Sequence, residues 1–388
     1  MNSIYVSNYA LHLYDEIISP KSAAYHWLNF EKCMTGSTDV FARSGQFASP
    51  FERHSPYQLP LPDFGIVETN SLETLMDRRG VEIYQAAKRH NKKITMLWSG
   101  GLDSTAVLVS LLKAIPYNEQ PDMLVICTST DGVMENFAFY RQFISGRLRL
   151  IHMTQLDFGE QVLNDSFVLH GEPGDLLASP SWRLYRALMD DGRHRLPFRK
   201  NMLLLYRCHF TEGYTTTSKW YVDKVTENIT ATAPDDIETI ADWFFWTGLN
   251  LRWECFLWFP FNSPIIRQDH SRPISPANTQ IYFDNIFLHA DYLQRWFYQH
   301  RQNIFLDETG TKFMYKYYFK NYIRGFDKNQ NYFDSKNKVA SISSTKKNGI
   351  KRIIEDIPVY YNENWVGTTL KDPKVYQDTL ELLLDYKG

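Results

Sequence analysis

The chain has 388 residues, with 42 Lys and Arg against 44 Asp and Glu and a formal net charge of −2, which argues against a surface that binds polyanions throughout. It has no run of 18 apolar residues, and its first residues, "MNSIYVSNYALHLYDE", lack a basic segment followed by an apolar core, so neither a membrane span nor a signal peptide is expected. The four cysteines, Cys33, Cys127, Cys208 and Cys255, form no CxxC pair, which argues against a zinc knuckle or redox dithiol and fits a reducing, cytoplasmic setting.

Residues 1–71 read as an N-terminal extension of mixed character, ending in the proline-rich connector "SPFERHSPYQLPLPDFG". "SLETLMDRRGVEIYQAAKRHN" predicts a helix that starts at Ser71, with an apolar face of Leu72, Leu75, Met76, Val81, Ile83 and Tyr84; Gly80 weakens it. "ITMLW" then reads as a buried strand and "DSTAVLVSLLKAI" as a helix burying Ala106, Val107, Leu108, Leu111 and Leu112. "MLVICTS" is a second strand, "NFAFYRQFIS" a helix and "LRLIHMT" a third strand. Strands alternating with helices predict an α/β fold, a parallel sheet with flanking crossover helices.

The rest of the chain is expected to be mostly helical. One helix is predicted from Pro234 through "PDDIETIADWFFWTGLNLRWECFLWF", because Pro suits the first turn and acids suit its positive end. Trp243, Phe244, Trp246, Trp253 and Trp258 along it fit helix packing better than an exposed stacking platform. Another helix is predicted over 284–301, and "NKVASISSTKKNGIKR" reads as a basic loop. Residues 341–388 form a tail.

The chemistry concentrates at "LWSGGLDST", residues 97–105. The turn follows the first strand, at the C-terminal end where open parallel sheets bind ligands. Gly100 and Gly101 allow a tight turn and close approach to the backbone amides. The next helix presents free N–H groups and the positive end of its dipole, and Ser99, Ser104 and Thr105 add hydroxyls. Such a cradle suits phosphate oxygens. Asp103 would repel them unless a cation lay between, which implies Mg²⁺. The spacing fits neither the Walker pattern nor the three-glycine dinucleotide fingerprint.

The signature SGGxDS, complete at 99–104, resembles the PP-loop of the ATP pyrophosphatase superfamily. The resemblance implies an adenine nucleotide alpha hydrolase-like fold of the PP-loop type. It also implies ATP and Mg²⁺ bound at Leu97, Trp98, Ser99, Gly100, Gly101, Asp103, Ser104 and Thr105. A second segment, "LHGEPGDLLASP" at 169–180, is similar to the GEGxDE loop of asparagine synthetases and β-lactam synthetases. Gly171, Glu172, Gly174 and Asp175 match it, while Pro173 and Leu176 depart from it. On that resemblance Gly171, Glu172 and Gly174 form a substrate-side loop, and Asp175 joins Asp103 as a metal ligand.

Two further segments belong to the same resemblance. Thr311 and Lys312 look like the late Thr-Lys of the synthetase group. Lys336 or Lys338 looks like its catalytic lysine, whose ammonium would stabilise charge on the leaving pyrophosphate. Glu135 and Asn136 stand where a glutamate–asparagine pair precedes a helix in that group, and either contact substrate or cap the helix. Tyr315, Lys316 and Tyr318 carry no assignment.

The resemblance covers residues 72–340 and implies an ATP-dependent C–N ligase. It would adenylate a small-molecule carboxylate, release pyrophosphate and pass the acyl group to an amine. The glutaminase domain of asparagine synthetases is not expected. Asn2 stands where that domain has its nucleophilic cysteine, and residues 1–98 are too few to form it. The amine is therefore expected from free ammonia, a separate ammonia-supplying partner, or the substrates themselves. One alternative is a PP-loop enzyme that modifies a nucleobase or tRNA, which would make a nucleic acid the partner. The other is a non-catalytic ATP-binding regulatory or scaffold protein.

Overall fold

The computed structural model describes residues 43, 60–156, 159–172, 174, 193–200, 229–253, 275–304, 314–328, 359–361 and 364–366. Its first long helix, α1 (Leu72–Arg89), begins where Ser71 accepts a hydrogen bond from the Thr74 amide, satisfying one of the donors a helix leaves open at its start. Leu72, Leu75, Met76 and Ile83 are buried as predicted, whereas Val81 is exposed. Gly80 has a specific task. A Cβ there would stand 2.4 Å from Ser110 Oγ, and Ser110 donates to Met76 O at 2.6 Å. The glycine costs helix propensity but lets α1 cross α2 (Leu102–Ala114) at close range.

The sheet contains β1 (Lys93–Leu97), β2 (Leu124–Thr128), β3 (Arg149–His152) and β4 (Ser166–Leu169), all parallel, in the order β3-β2-β1-β4. β2 and β4 are buried along their whole length and β1 along its middle, as expected when helices cover both faces. β3 lies at an edge and stays largely exposed. The predicted α/β sheet is therefore present, with β4 as an additional strand. Its four residues are entered from a short helix, α3 (Glu160–Asp165), and give little period for sequence reasoning to use.

Three helix predictions need correction. The helical stretch after β2 starts at Thr130, with Ser129 accepting from the Gly132 amide, and breaks at Asn136 before resuming at Phe137. The tryptophan-rich helix, α4, runs Ile240–Thr247 rather than starting at Pro234. Thr239 and Asp242 form a reciprocal capping box there, which outcompetes the Pro234 signal. The segment 284–301 is not one helix: α5 (Pro276–Asp284) ends in it, a 3₁₀ turn covers Phe287–His289, and α6 spans Asp291–Gln299.

Trp243, Phe244, Trp246 and Trp253 are buried in the core, which supports packing over a stacking platform; Trp258 lies outside the described residues. Arg43, from the N-terminal region, is buried against this helical part. Its guanidinium donates to Leu249 O at 3.2 Å, Pro60 O at 2.6 Å and Gln294 Oε1 at 2.8 Å. The last described helix, α7 (Met314–Phe326), packs on α2. β5 (Val359–Tyr361) and β6 (Asn364–Val366) pair as an antiparallel ribbon within the C-terminal tail. Among the described residues, no helix is long and apolar enough to cross a membrane.

Candidate functional site

The strand order locates the site. From β1 the chain steps outward through β2 to β3, then returns to lay β4 on the opposite side of β1. Successive connections therefore diverge between β1 and β4, and open parallel sheets bind ligands beyond the C-terminal strand ends at such a reversal. Met96 pairs with Leu169, so the residues that follow each strand, 98–104 after β1 and 170–172 and 174 after β4, emerge side by side.

The turn after β1 is held by its own side chains. Ser104 Oγ accepts from the Ser99 amide at 3.2 Å and lies 3.0 Å from Ser99 Oγ. Ser99 Oγ also accepts from the Gly101 amide at 3.3 Å. Gly100 has φ +79°, and a Cβ there would meet Gly132 O at 2.2 Å, so only glycine fits. Gly101 precedes α2 without contributing a side-chain cap. The start of α2 thus relies on other partners for the donors a helix leaves open.

Two more loops press on this turn. Residues 129–136, after β2, bring Gly132 against Ser99 and Glu135 against Gly100 and Gly101. Residues 170–172 and 174, after β4, lie on the start of α2. A Cβ at Gly171 would stand 2.4 Å from the Ser104 amide nitrogen, and one at Gly174 would stand 2.6 Å from Asp103 Cγ. His170 anchors this loop. Its Nδ1 accepts from the Glu172 amide at 3.2 Å, so Nε2 carries the proton and donates to Tyr282 Oη at 2.7 Å. Burial pushes the His170 pKa down to about 4 and raises that of Tyr282 well above the ordinary phenol value. Both groups are neutral near pH 7.

The sequence assigned nothing to Lys316, which the structure brings to Asp103. Its Nζ stands 3.1 Å from Asp103 Oδ2, with the two side chains only 21% and 16% exposed. α7 delivers it from an inward stripe: Phe319, Lys320 and Ile323 follow at helical spacing and are buried. Tyr322 fixes the helix by donating to Asp77 Oδ1 at 2.6 Å, and Asp77 also pairs with Lys113 of α2. Lysines at core-facing positions 316 and 320 were the available signal, since charged side chains rarely occupy such a stripe without a partner.

The predicted residues divide clearly. Ser99, Gly100, Gly101, Asp103, Ser104, Gly171, Glu172 and Gly174 lie together at the C-terminal ends of β1 and β4. Leu97 closes β1, while Trp98 and Thr105 turn inward and bond each other, Trp98 Nε1 donating to Thr105 Oγ1 at 3.0 Å. Those two side chains support the turn from beneath. Asn136 is 1% exposed, and neither its Oδ1 nor its Nδ2 has a hydrogen-bond partner. Asp175, Thr311, Lys312, Lys336 and Lys338 lie outside the described residues.

Among the described residues no three His, Cys, Asp or Glu side chains converge to cage a metal. Asp103 nevertheless suits Mg²⁺, which takes one or two carboxylates together with phosphate oxygens and water rather than a full protein cage. Compared with protein families, curated proteins and solved structures, the chain matches no family model, no curated protein and no solved structure.

Proposed function

We propose that the chain is an ATP-dependent, AMP-forming C–N ligase of the PP-loop type, similar to the synthetase part of asparagine and β-lactam synthetases. One observation carries this reading. The two segments that resemble that group meet in space: Gly171 lies on the Ser104 amide and Gly174 on the Asp103 carboxylate. An accidental glycine turn after β1 and an unrelated one after β4 would have no reason to interlock at the sheet's reversal point.

The chemistry follows from the cradle. The serines and backbone amides of 99–104 would hold the β- and γ-phosphates of ATP. Asp103, with Asp175 as the second ligand, would hold Mg²⁺, which when bound neutralises phosphate charge. A substrate carboxylate oxygen attacks the α-phosphorus, the bond to the bridging oxygen breaks, and pyrophosphate leaves. An amine then attacks the acyl carbon, loses a proton and displaces AMP. The glycine loop over the turn supports a dry, fixed geometry that limits hydrolysis of the acyl-adenylate.

Pyrophosphate release from ATP, measured across pools of amino acids, other carboxylates with amines, and nucleic acids, tests the reading. Release that needs a carboxylate and an amine is the expected result. Release only with nucleic acid would favour nucleobase modification, and ATP binding without release in any pool would favour a regulatory protein. Asp103→Ala is expected to lower release by about 10²-fold or more; unchanged release would sink the mechanism.

A further inference from the structure

Resting on Asp103 as a metal ligand, we propose that Lys316 is an exchangeable counter-ion for that carboxylate, competing with the metal for Asp103 and then engaging phosphate. Nζ at 3.1 Å from Oδ2 occupies the oxygen that a hard divalent cation would approach to about 2.1 Å. The backbone at Gly174 crowds the same carboxylate, since a Cβ there would lie 3.0 Å from Oδ2. A divalent cation on either oxygen of this carboxylate would lie close to the Lys316 ammonium and repel it, because partial burial weakens solvent screening.

The delivery of Lys316 makes the exchange productive. α7 is tied to α1 and α2 through Tyr322, Asp77 and Lys113, so the lysine stem pivots from a fixed base. Its flexible four-carbon stem carries a compact charge that can move between oxygen partners without moving the helix. When metal takes Asp103, the displaced ammonium turns to phosphate oxygens of a nucleotide held at 99–104. The site therefore keeps a positive charge beside Asp103 throughout, and metal entry is coupled to a contact with nucleotide.

Mn²⁺ binding to the full chain, followed by electron paramagnetic resonance with and without ATP, tests this. Lys316→Met is expected to tighten Mn²⁺ binding without ATP by about fivefold and to slow ATP-dependent pyrophosphate release at least tenfold. Lys316→Arg, which keeps the charge, is expected to leave Mn²⁺ affinity as in the parent chain. Lys316→Gln, which keeps a long stem and donor without charge, replaces Lys316→Met if the latter melts early. Mn²⁺ binding that depends on Asp103 yet is equal in the parent and both uncharged variants would overturn this proposal alone. Mn²⁺ binding equal in the parent and in Asp103→Asn would overturn the metal role of Asp103 and the proposed function with it.

Discussion

Gly174 lies against the Asp103 carboxylate so closely that a side chain on it would collide with the acid: a Cβ would be 2.6 Å from Asp103 Cγ and 3.0 Å from Oδ2. Together with Gly171, which lies against the Asp103 backbone, the glycine brings the loop after β4 onto the acidic residue after β1. Gly174→Ala is expected to push the loop away, costing about 1–3 kcal/mol as overpacked substitutions do, and to weaken ATP binding. Urea midpoints and ATP titration of the two proteins check this. Gly146→Ala serves as a control for added bulk, because its Cβ would meet nothing within 4 Å, although its φ of +68° carries a strain of its own.

Asn136 offers a stability prediction of opposite sign. A buried amide with both ends unpartnered carries a desolvation cost on the order of 1–3 kcal/mol. Asn136→Leu is expected to raise the urea midpoint, stabilising the chain by about 1 kcal/mol. It is also expected to reduce pyrophosphate release, because an unpartnered polar group next to Glu135, which lies against Gly100 and Gly101, fits use by a bound nucleotide or substrate. A lower midpoint would show that the amide has a structural role.

The helical part depends on a buried ion pair. Arg301 Nε donates to Asp242 Oδ1 at 3.1 Å, and Asp242 also closes the capping box of α4 with Thr239. Arg301→Met removes one partner and leaves a fully buried carboxylate, which costs about 3–5 kcal/mol. Combining it with Asp242→Asn is expected to cost less than the two single changes together, a coupling that a double-mutant cycle in urea would measure.

His170 makes the loop after β4 sensitive to acid. Its pKa is about 4 in the folded chain and near 6.5 in the unfolded chain, so the unfolded state takes the proton first as pH falls. The stability held above about pH 6.5 is lost progressively toward pH 4, by at most about 3 kcal/mol. His170→Asn keeps an acceptor for the Glu172 amide and removes the titration. Its urea midpoint is expected to fall less between about pH 7.5 and pH 5 than that of the parent chain. His289, also buried and shifted well below the ordinary value, contributes equally to both proteins.

Local signals in the sequence were strong where structure depends on neighbours along the chain. Apolar runs bounded by turns marked β1, β2 and β3, Ser71 marked the start of α1, and two adjacent glycines before an acid marked the turn that needs a positive φ at Gly100. They failed where two local signals competed: the Thr239–Asp242 capping box, five residues beyond Pro234, set the helix start instead, and the helix after β2 broke at Asn136.

The sequence by itself determined the alternation of strands and helices, the cradle at 99–104 and the second glycine loop, because backbone conformation and burial pattern are written in short segments. Tertiary structure alone decided that β4 lies beside β1 rather than beyond β3. That order, set by side-chain burial across the whole sheet, puts Gly171 on Ser104 and Gly174 on Asp103. It also decided that Lys316, 213 residues from Asp103, becomes its ion-pair partner, a relationship carried by the docking of α7 on α2 and by no local motif.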